Sequence, residues 1–306
     1  MPPRERYGII DLGTNTFHLL IVEGDRRSFR ELRRVRKFVK LAEGGMDLIS
    51  PEAFRRGIDT LRQFEGLLKE ENIDRVRAIG TAALRSAANG AEFLRRAREE
   101  TSLDISLISG DEEARLIHLG VKQAVPFGEE TRLIIDIGGG SVEFILADRG
   151  GVHWARSFPT GLAVLYRKFH RSDPIDPAEI ETLRRSLERE FAPLVPALRS
   201  RPVRQLVGAA GAFEVLEKVL PVVEEIDRST RLSPADFHRF CERMVRSTLA
   251  ERLAMPEIPH SRADMIVVSS LLIEYVLQLA SIEDILVSPY ALKEGVLWEM
   301  MTSPQI

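Results

Sequence analysis

Leu133-Ile-Ile-Asp136-Ile-Gly138-Gly139-Gly140-Ser141-Val-Glu143-Phe-Ile-Leu-Ala147 reads as a strand, a tight glycine turn and a second strand. Its flanks are apolar and largely β-branched, and the glycines punctuate them. Asp136 ends the first strand, and three glycines leave backbone N–H groups unobstructed. Ser141 and Glu143 point back from the second strand. Such a turn can wrap a phosphate with N–H donors while carboxylates hold a cation.

The pattern occurs twice. Ile9-Ile10-Asp11-Leu12-Gly13-Thr14-Asn15-Thr16-Phe17-His18-Leu19-Leu20 superimposes on residues 134–145, with Asp11 on Asp136, Gly13 on Gly138 and Thr16 on Ser141. Taken singly, Asp-x-Gly is also an ordinary hairpin turn. Two matching copies between apolar strands imply two α/β domains of one design, each offering an acidic phosphate turn to a shared cleft. The carboxylates Asp136, Glu143 and Asp11 are candidate ligands for Mg²⁺, a hard cation that keeps waters and takes few protein ligands. The spacing is not that of a P-loop.

Composition sets wide bounds. The 306 residues are about two domains in length, 44% hydrophobic and 29% charged, with a net charge of −3. No global attraction to nucleic acid or membrane follows from that charge. A lone cysteine, Cys241, and an N-terminus without an apolar leader suit the cytoplasm. Met265–Ala280, which includes Glu274, is too short and too polar to span a bilayer and reads as a buried helix.

Along the chain, strands are expected near Tyr7–Asp11, His18–Glu23 and Phe29–Leu41. The third is strongly basic (Arg30, Arg33, Arg34, Arg36, Lys37, Lys40), either a solubilising edge or a positive wall for a polyanion. Ser50-Pro51-Glu52 starts a helix. After a strand at Arg75–Gly80, Thr81 should cap a short helix carrying Arg85. A strand at Leu103–Ile108 leads to Ser109-Gly-Asp-Glu112, a capping box. The polar link Pro126-Phe-Gly-Glu-Glu marks a boundary between domains 1–125 and 126–288. Pro193 and Pro196 should end or kink the long helix that begins near Ala178. Gly208 and Gly211 frame a further glycine turn, Ser261–Ala280 reads as one helix, and Tyr290–Met301 as an amphipathic one.

Four motifs, in order, resemble the exopolyphosphatase / guanosine pentaphosphate phosphohydrolase family, within the actin-like ATPase, sugar-kinase and heat-shock-chaperone superfamily. They are Ile10-Asp-Leu-Gly-Thr-Asn-Thr-Phe-His18, Gly80-Thr-Ala-Ala-Leu-Arg85, Ile108-Ser-Gly-Asp-Glu-Glu-Ala-Arg-Leu116 and Ile135-Asp-Ile-Gly-Gly-Gly-Ser-Val-Glu143. Weaker matches are Val39–Gly44, Val207–Gly211 and Leu292–Leu297. The resemblance implies two actin-like (ribonuclease H-like) domains with an interdomain active-site cleft, and a C-terminal helix, 289–306, packed back on the first domain. It implies Mg²⁺-dependent hydrolysis of terminal phosphoanhydrides of polyphosphate or guanosine pentaphosphate, and a homodimer.

The resemblance also assigns residues. Glu113 activates the attacking water, although an acid there also suits a helix start. Arg85 would neutralise phosphate oxygens, although an arginine on a helix is commonly a surface residue. Lys40 and Asn15 line the phosphate, with Gly13, Thr14 and Thr16 in one turn and Gly138, Gly139, Gly140 and Ser141 in the other. Gly208 and Gly211 offer backbone contact only, because the hydroxyl usual in that stretch is replaced in Gly208-Ala-Ala-Gly-Ala-Phe-Glu214. The helical domains that longer members carry after the core have no counterpart in this sequence. Two other readings fit the superfamily: an ATP-dependent kinase or ATPase, and a polyphosphate or alarmone sensor without turnover.

Overall fold

Each of the two repeats nucleates its own mixed sheet. The computed structural model describes residues 5–73, 75–209 and 211–303, and the chain divides into two compact units after Gly120 and again after Ala291. The first unit is built from the residues up to Gly120 together with the stretch from Leu292 onward, and the second from Val121–Ala291.

In the first unit, β1 (Glu5–Leu12), β2 (Thr16–Gly24) and β3 (Phe29–Phe38) form an antiparallel meander. Helix α1 (Pro51–Glu70) leads to β4 (Arg75–Gly80), α2 (Ala82–Ser86), α3 (Gly90–Glu100), β5 (Ile105–Leu107) and α4 (Gly110–Val121). The sheet order is β3-β2-β1-β4-β5, with β1, β4 and β5 parallel. β1 and β2 are buried over most of their length, so they read as apolar runs rather than alternations. β3 is the edge, which is why it tolerates so many charges. It stops at Phe38, short of Leu41, because Lys40 takes a φ of +50 and the Val39 and Lys40 amides turn to the Asn15 carbonyl.

The second unit repeats the meander with β6 (Arg132–Ile137), β7 (Val142–Asp148) and β8 (Gly151–Phe158). There follow α5 (Leu162–Phe169), α6 (Pro177–Glu190), α7 (Leu194–Ser200), β9 (Gln205–Ala209), α8 (Gly211–Val219), β10 (Val222–Ile226), β11 (Ser229–Leu232), α9 (Pro234–Arg246), α10 (Leu249–Ala254), α11 (Ile266–Ala280) and β12 (Asp284–Ser288). In the order β10-β11-β12-β9-β6-β7-β8, the five strands β8-β7-β6-β9-β12 retrace the first sheet, with β6, β9 and β12 parallel. The core between sheet and helices includes Phe144, Phe191, Phe213 and Phe237, all fully buried.

Several elements differ from expectation. The β10–β11 hairpin, α7 and α10 carry no sequence period long enough to announce them. Pro193 ends one helix by standing at the N-cap of the next. α11 starts at Ile266, not Ser261. The last helix, α12 (Leu292–Thr302), is not amphipathic: Lys293 and Glu294 are buried beside Leu292, Val296, Leu297, Met300 and Met301. It lies so close to α4 that a Cβ on Gly295 would stand 1.8 Å from the Leu116 carbonyl oxygen.

Candidate active site

In open α/β sheets, ligands gather beyond the carboxyl ends of parallel strands. The first unit places three sequence candidates there. Gly13–Thr16 follows β1, Arg85 lies on α2 after β4, and Glu113 lies on α4 after β5. Thr81 ties α2 to the end of β1: its N–H and Oγ1 both donate to the Leu12 carbonyl, at 3.3 and 3.4 Å. It does not cap α2 through its side chain. α4 opens with Ser109 Oγ accepting the Glu112 N–H at 3.1 Å, while the Glu112 carboxylate is held by Arg115 instead of closing the box. The adjacent Glu113 turns inward and is 6% exposed. Arg85 Nη1 donates to the Ile108 carbonyl at 2.6 Å and stands 3.5 Å from Glu113 Oε2. The two residues named by separate motifs thus meet in space.

The first turn is closed by the Gly13 N–H on the Thr16 carbonyl. The chain leaving β3 then buttresses it: the Val39 and Lys40 amides donate to Asn15 O, and the Leu41 amide to Thr14 O. Arg56 holds that chain in place through the Val39 carbonyl. Lys40 is exposed beside the turn, whereas Thr14 and Thr16 are buried. Burial pushes the Asp11 carboxyl up to about 6, with Lys293 opposing and Glu294 adding to the rise. The basic wall is largely spent locally: Arg30 pairs with Glu23, Arg33 with Glu70 and Glu71, and Arg34 with Glu31 and the buried Glu294.

The second unit repeats this construction. Gly138 N–H closes the turn on Ser141 O, and the start of α5 buttresses it: the Gly161, Leu162 and Ala163 amides donate to the carbonyls of Gly140, Gly138 and Gly139. These three bonds engage the carbonyls of all three turn glycines. The Gly13 and Gly138 N–H groups are themselves engaged in closing the two hairpins. Asp136 and Glu143 are directly paired across β6 and β7 and share a sheet face. Glu143 is 1% exposed and accepts from Ser157 Oγ at 2.6 Å.

The expected turn at Gly208 is a strand. Gly208 is paired with Ile135 and Val287 in the sheet interior, and a Cβ there would lie 2.1 Å from the Phe213 ring. Its lack of a side chain serves packing. Ala210, part of the same expected turn, lies outside the described residues. Gly211 has a φ of +43 and does flank the second turn: its Cβ position is 3.5 Å from Ile137 O and 3.8 Å from Arg262 Nη2. Arg262 is therefore a cation near this half-site that the sequence reading missed. It sits in no motif, and only the fold distinguishes it from other arginines.

A family model for Ppx/GppA phosphatases matches residues 20–304. The chain belongs to the Ppx/GppA phosphatase family. The crystal structure of an exopolyphosphatase from Cytophaga hutchinsonii is 38% identical, with a TM-score of 0.90 over 97% of this chain and 98% of that one. The Ppx/GppA family member from Aquifex aeolicus, 24% identical, shares the fold at a TM-score of 0.80 over 97% and 98% of the two chains. Membership in Ppx/GppA makes this chain a hydrolase in general terms. No helix of the described residues is long and apolar enough to cross a membrane.

Among the described residues, no group of three or more His, Cys, Asp or Glu side chains is gathered as a metal nest. A magnesium site built partly from substrate does not need one: Mg²⁺ is commonly held by one or two carboxylates together with waters and substrate phosphates. Asp136 and Glu143, opposed on one face, fit that donor set. Asp11 belongs to the other unit and has Lys293 as its cationic neighbour.

Proposed function

We propose that this Ppx/GppA member hydrolyses the terminal phosphoanhydride bond of inorganic polyphosphate or guanosine pentaphosphate by in-line attack of a water oriented by Glu113. The observation that carries this reading is the placement of Glu113: buried, at the carboxyl edge of a parallel sheet, 3.5 Å from an arginine. A carboxylate so shielded from water is suited to hold a nucleophile and accept its proton. Arg85, anchored on the Ile108 carbonyl, presents a planar fork to phosphate oxygens.

On this reading Asn15, Thr14, Thr16 and Lys40 bind phosphate from the first unit, and Gly139, Gly140 and Ser141 from the second. Mg²⁺, held by Asp136 and Glu143 with Asp11 as a further carboxylate, would neutralise phosphate oxygens when bound. The protein's contribution is then position and charge, as phosphoryl transfer requires.

The test is phosphate release from polyphosphate, guanosine pentaphosphate and ATP, wild type beside Glu113→Gln. The variant should lose about 10²–10⁴-fold in kcat, the usual worth of a positioned base. Equal release by both proteins would overturn the assignment to Glu113. Turnover of ATP alone would favour the ATPase reading.

A further inference from the structure

The row of residues that crosses the second sheet at the turn does not end at Glu143. β6 Asp136 is paired with β7 Glu143, which is paired with β8 Ser157. Directly paired residues point to the same face. The corresponding row of the first unit is Asp11, His18 and Arg36. The two repeats therefore share a backbone and differ in chemistry. One row has two carboxylates and a hydroxyl; the other has one carboxylate and two groups that can be cationic.

We infer that Ser157 is a positioning residue that aims the Glu143 carboxylate. The inference rests on the reading above, in which Asp136 and Glu143 form the cation side of the site. Ser157 Oγ donates to Glu143 Oε1 at 2.6 Å, a short bond of the charge-assisted kind. A glutamate has three side-chain torsions, and a buried carboxylate held at one oxygen cannot rotate without breaking that bond. Ser157 is itself fixed by strand pairing, since β8 is held to β7 throughout this region. Its chain continues through Pro159 and Thr160 to the Gly161–Ala163 amides that buttress the glycine turn. One short segment thus sets both the carboxylate and the turn. Outer partners of metal-binding carboxylates serve this purpose generally, and losing one costs about 10–100-fold in metal affinity or activity.

The experiment is Mn²⁺ titration of the metal-free protein, with free Mn²⁺ read by electron paramagnetic resonance. Wild type, Ser157→Ala, Ser157→Thr and Glu143→Gln are compared. Ser157→Ala should weaken binding by about 10–100-fold, Glu143→Gln should also weaken it, and Ser157→Thr, which keeps the hydroxyl, should bind nearly as wild type. If Glu143→Gln binds weakly but Ser157→Ala binds as wild type, Ser157 has no such role and the reading of Glu143 survives. If Ser157→Thr is as weak as Ser157→Ala, packing rather than the hydroxyl is responsible and the inference is overturned. If Glu143→Gln binds as wild type, the cation side is misassigned and the inference falls with it. Should Ser157→Ala not fold, Ser157→Cys, close in volume and a weak donor, takes its place under the same criteria.

Discussion

Asp11 shows how one side chain reports its surroundings. Burial raises its pKa to about 6, against the roughly 3.9 of an unfolded aspartate. Between those values the folded chain holds a proton that the unfolded chain has released. Stability from this group is fully present below about pH 4 and is lost as pH rises to about 6. In metal-free protein, the thermal midpoint of Asp11→Asn should gain on wild type across that window and the difference should level off above it. A difference that does not change between pH 4 and pH 7 would contradict the shift. The aspartate itself was legible in the sequence, because Asp11 and Asp136 recur in one pattern. Its neighbour Lys293 was not, because it arrives from the far end of the chain. Arg85 and Glu113 were each legible from a motif, but their meeting at 3.5 Å depends on where two helices start.

At the scale of elements, the glycine turns work because something behind them takes their carbonyls. In the second unit that support is the start of α5, and it leaves no room at Gly161. A Cβ there would lie 2.5 Å from the backbone of Gly139 and Gly140, which cannot yield as a flexible side chain would. Gly161→Ala should therefore displace the turn. Phosphate release should fall by about 10²-fold, the scale of a 1 Å misplacement, while thermal stability drops by only about 1–3 kcal/mol, the scale of overpacking. Gly128→Ala, where a Cβ meets nothing within 4 Å, should leave both unchanged. Equal behaviour of the two variants would refute the buttress. A glycine at a helix N-cap is locally unremarkable; its close approach to the turn is a product of tertiary packing.

At the scale of the molecule, the second unit is one continuous stretch, whereas the first is completed by the chain from Leu292 onward. α12 supplies that unit with buried Leu292, Val296, Leu297, Met300 and Met301. Each such side chain contributes about 1.5–3 kcal/mol when buried. Glu294 pairs with Arg34 on β3, and Glu299 with Arg77 on β4 and Arg115 on α4. A chain ending at residue 291 should lose hydrogen-exchange protection in β1, β2 and β4 while retaining it in β6, β7 and β9. Undiminished protection in β1 would show that α12 is dispensable to the first unit's core.

What the sequence by itself determined was local: two strand–turn–strand repeats, the glycines and hydroxyls of their turns, and the acids that flank them. Backbone preference and a period of two residues act between near neighbours, so they can be read from a short stretch. What only the tertiary structure decided was company: Arg262 beside Gly211, Ser157 on Glu143, Phe213 over Gly208, Lys293 near Asp11. Those neighbours are set by strand register and helix packing between residues far apart in the chain, and no local pattern encodes a partner that distance has put out of its reach.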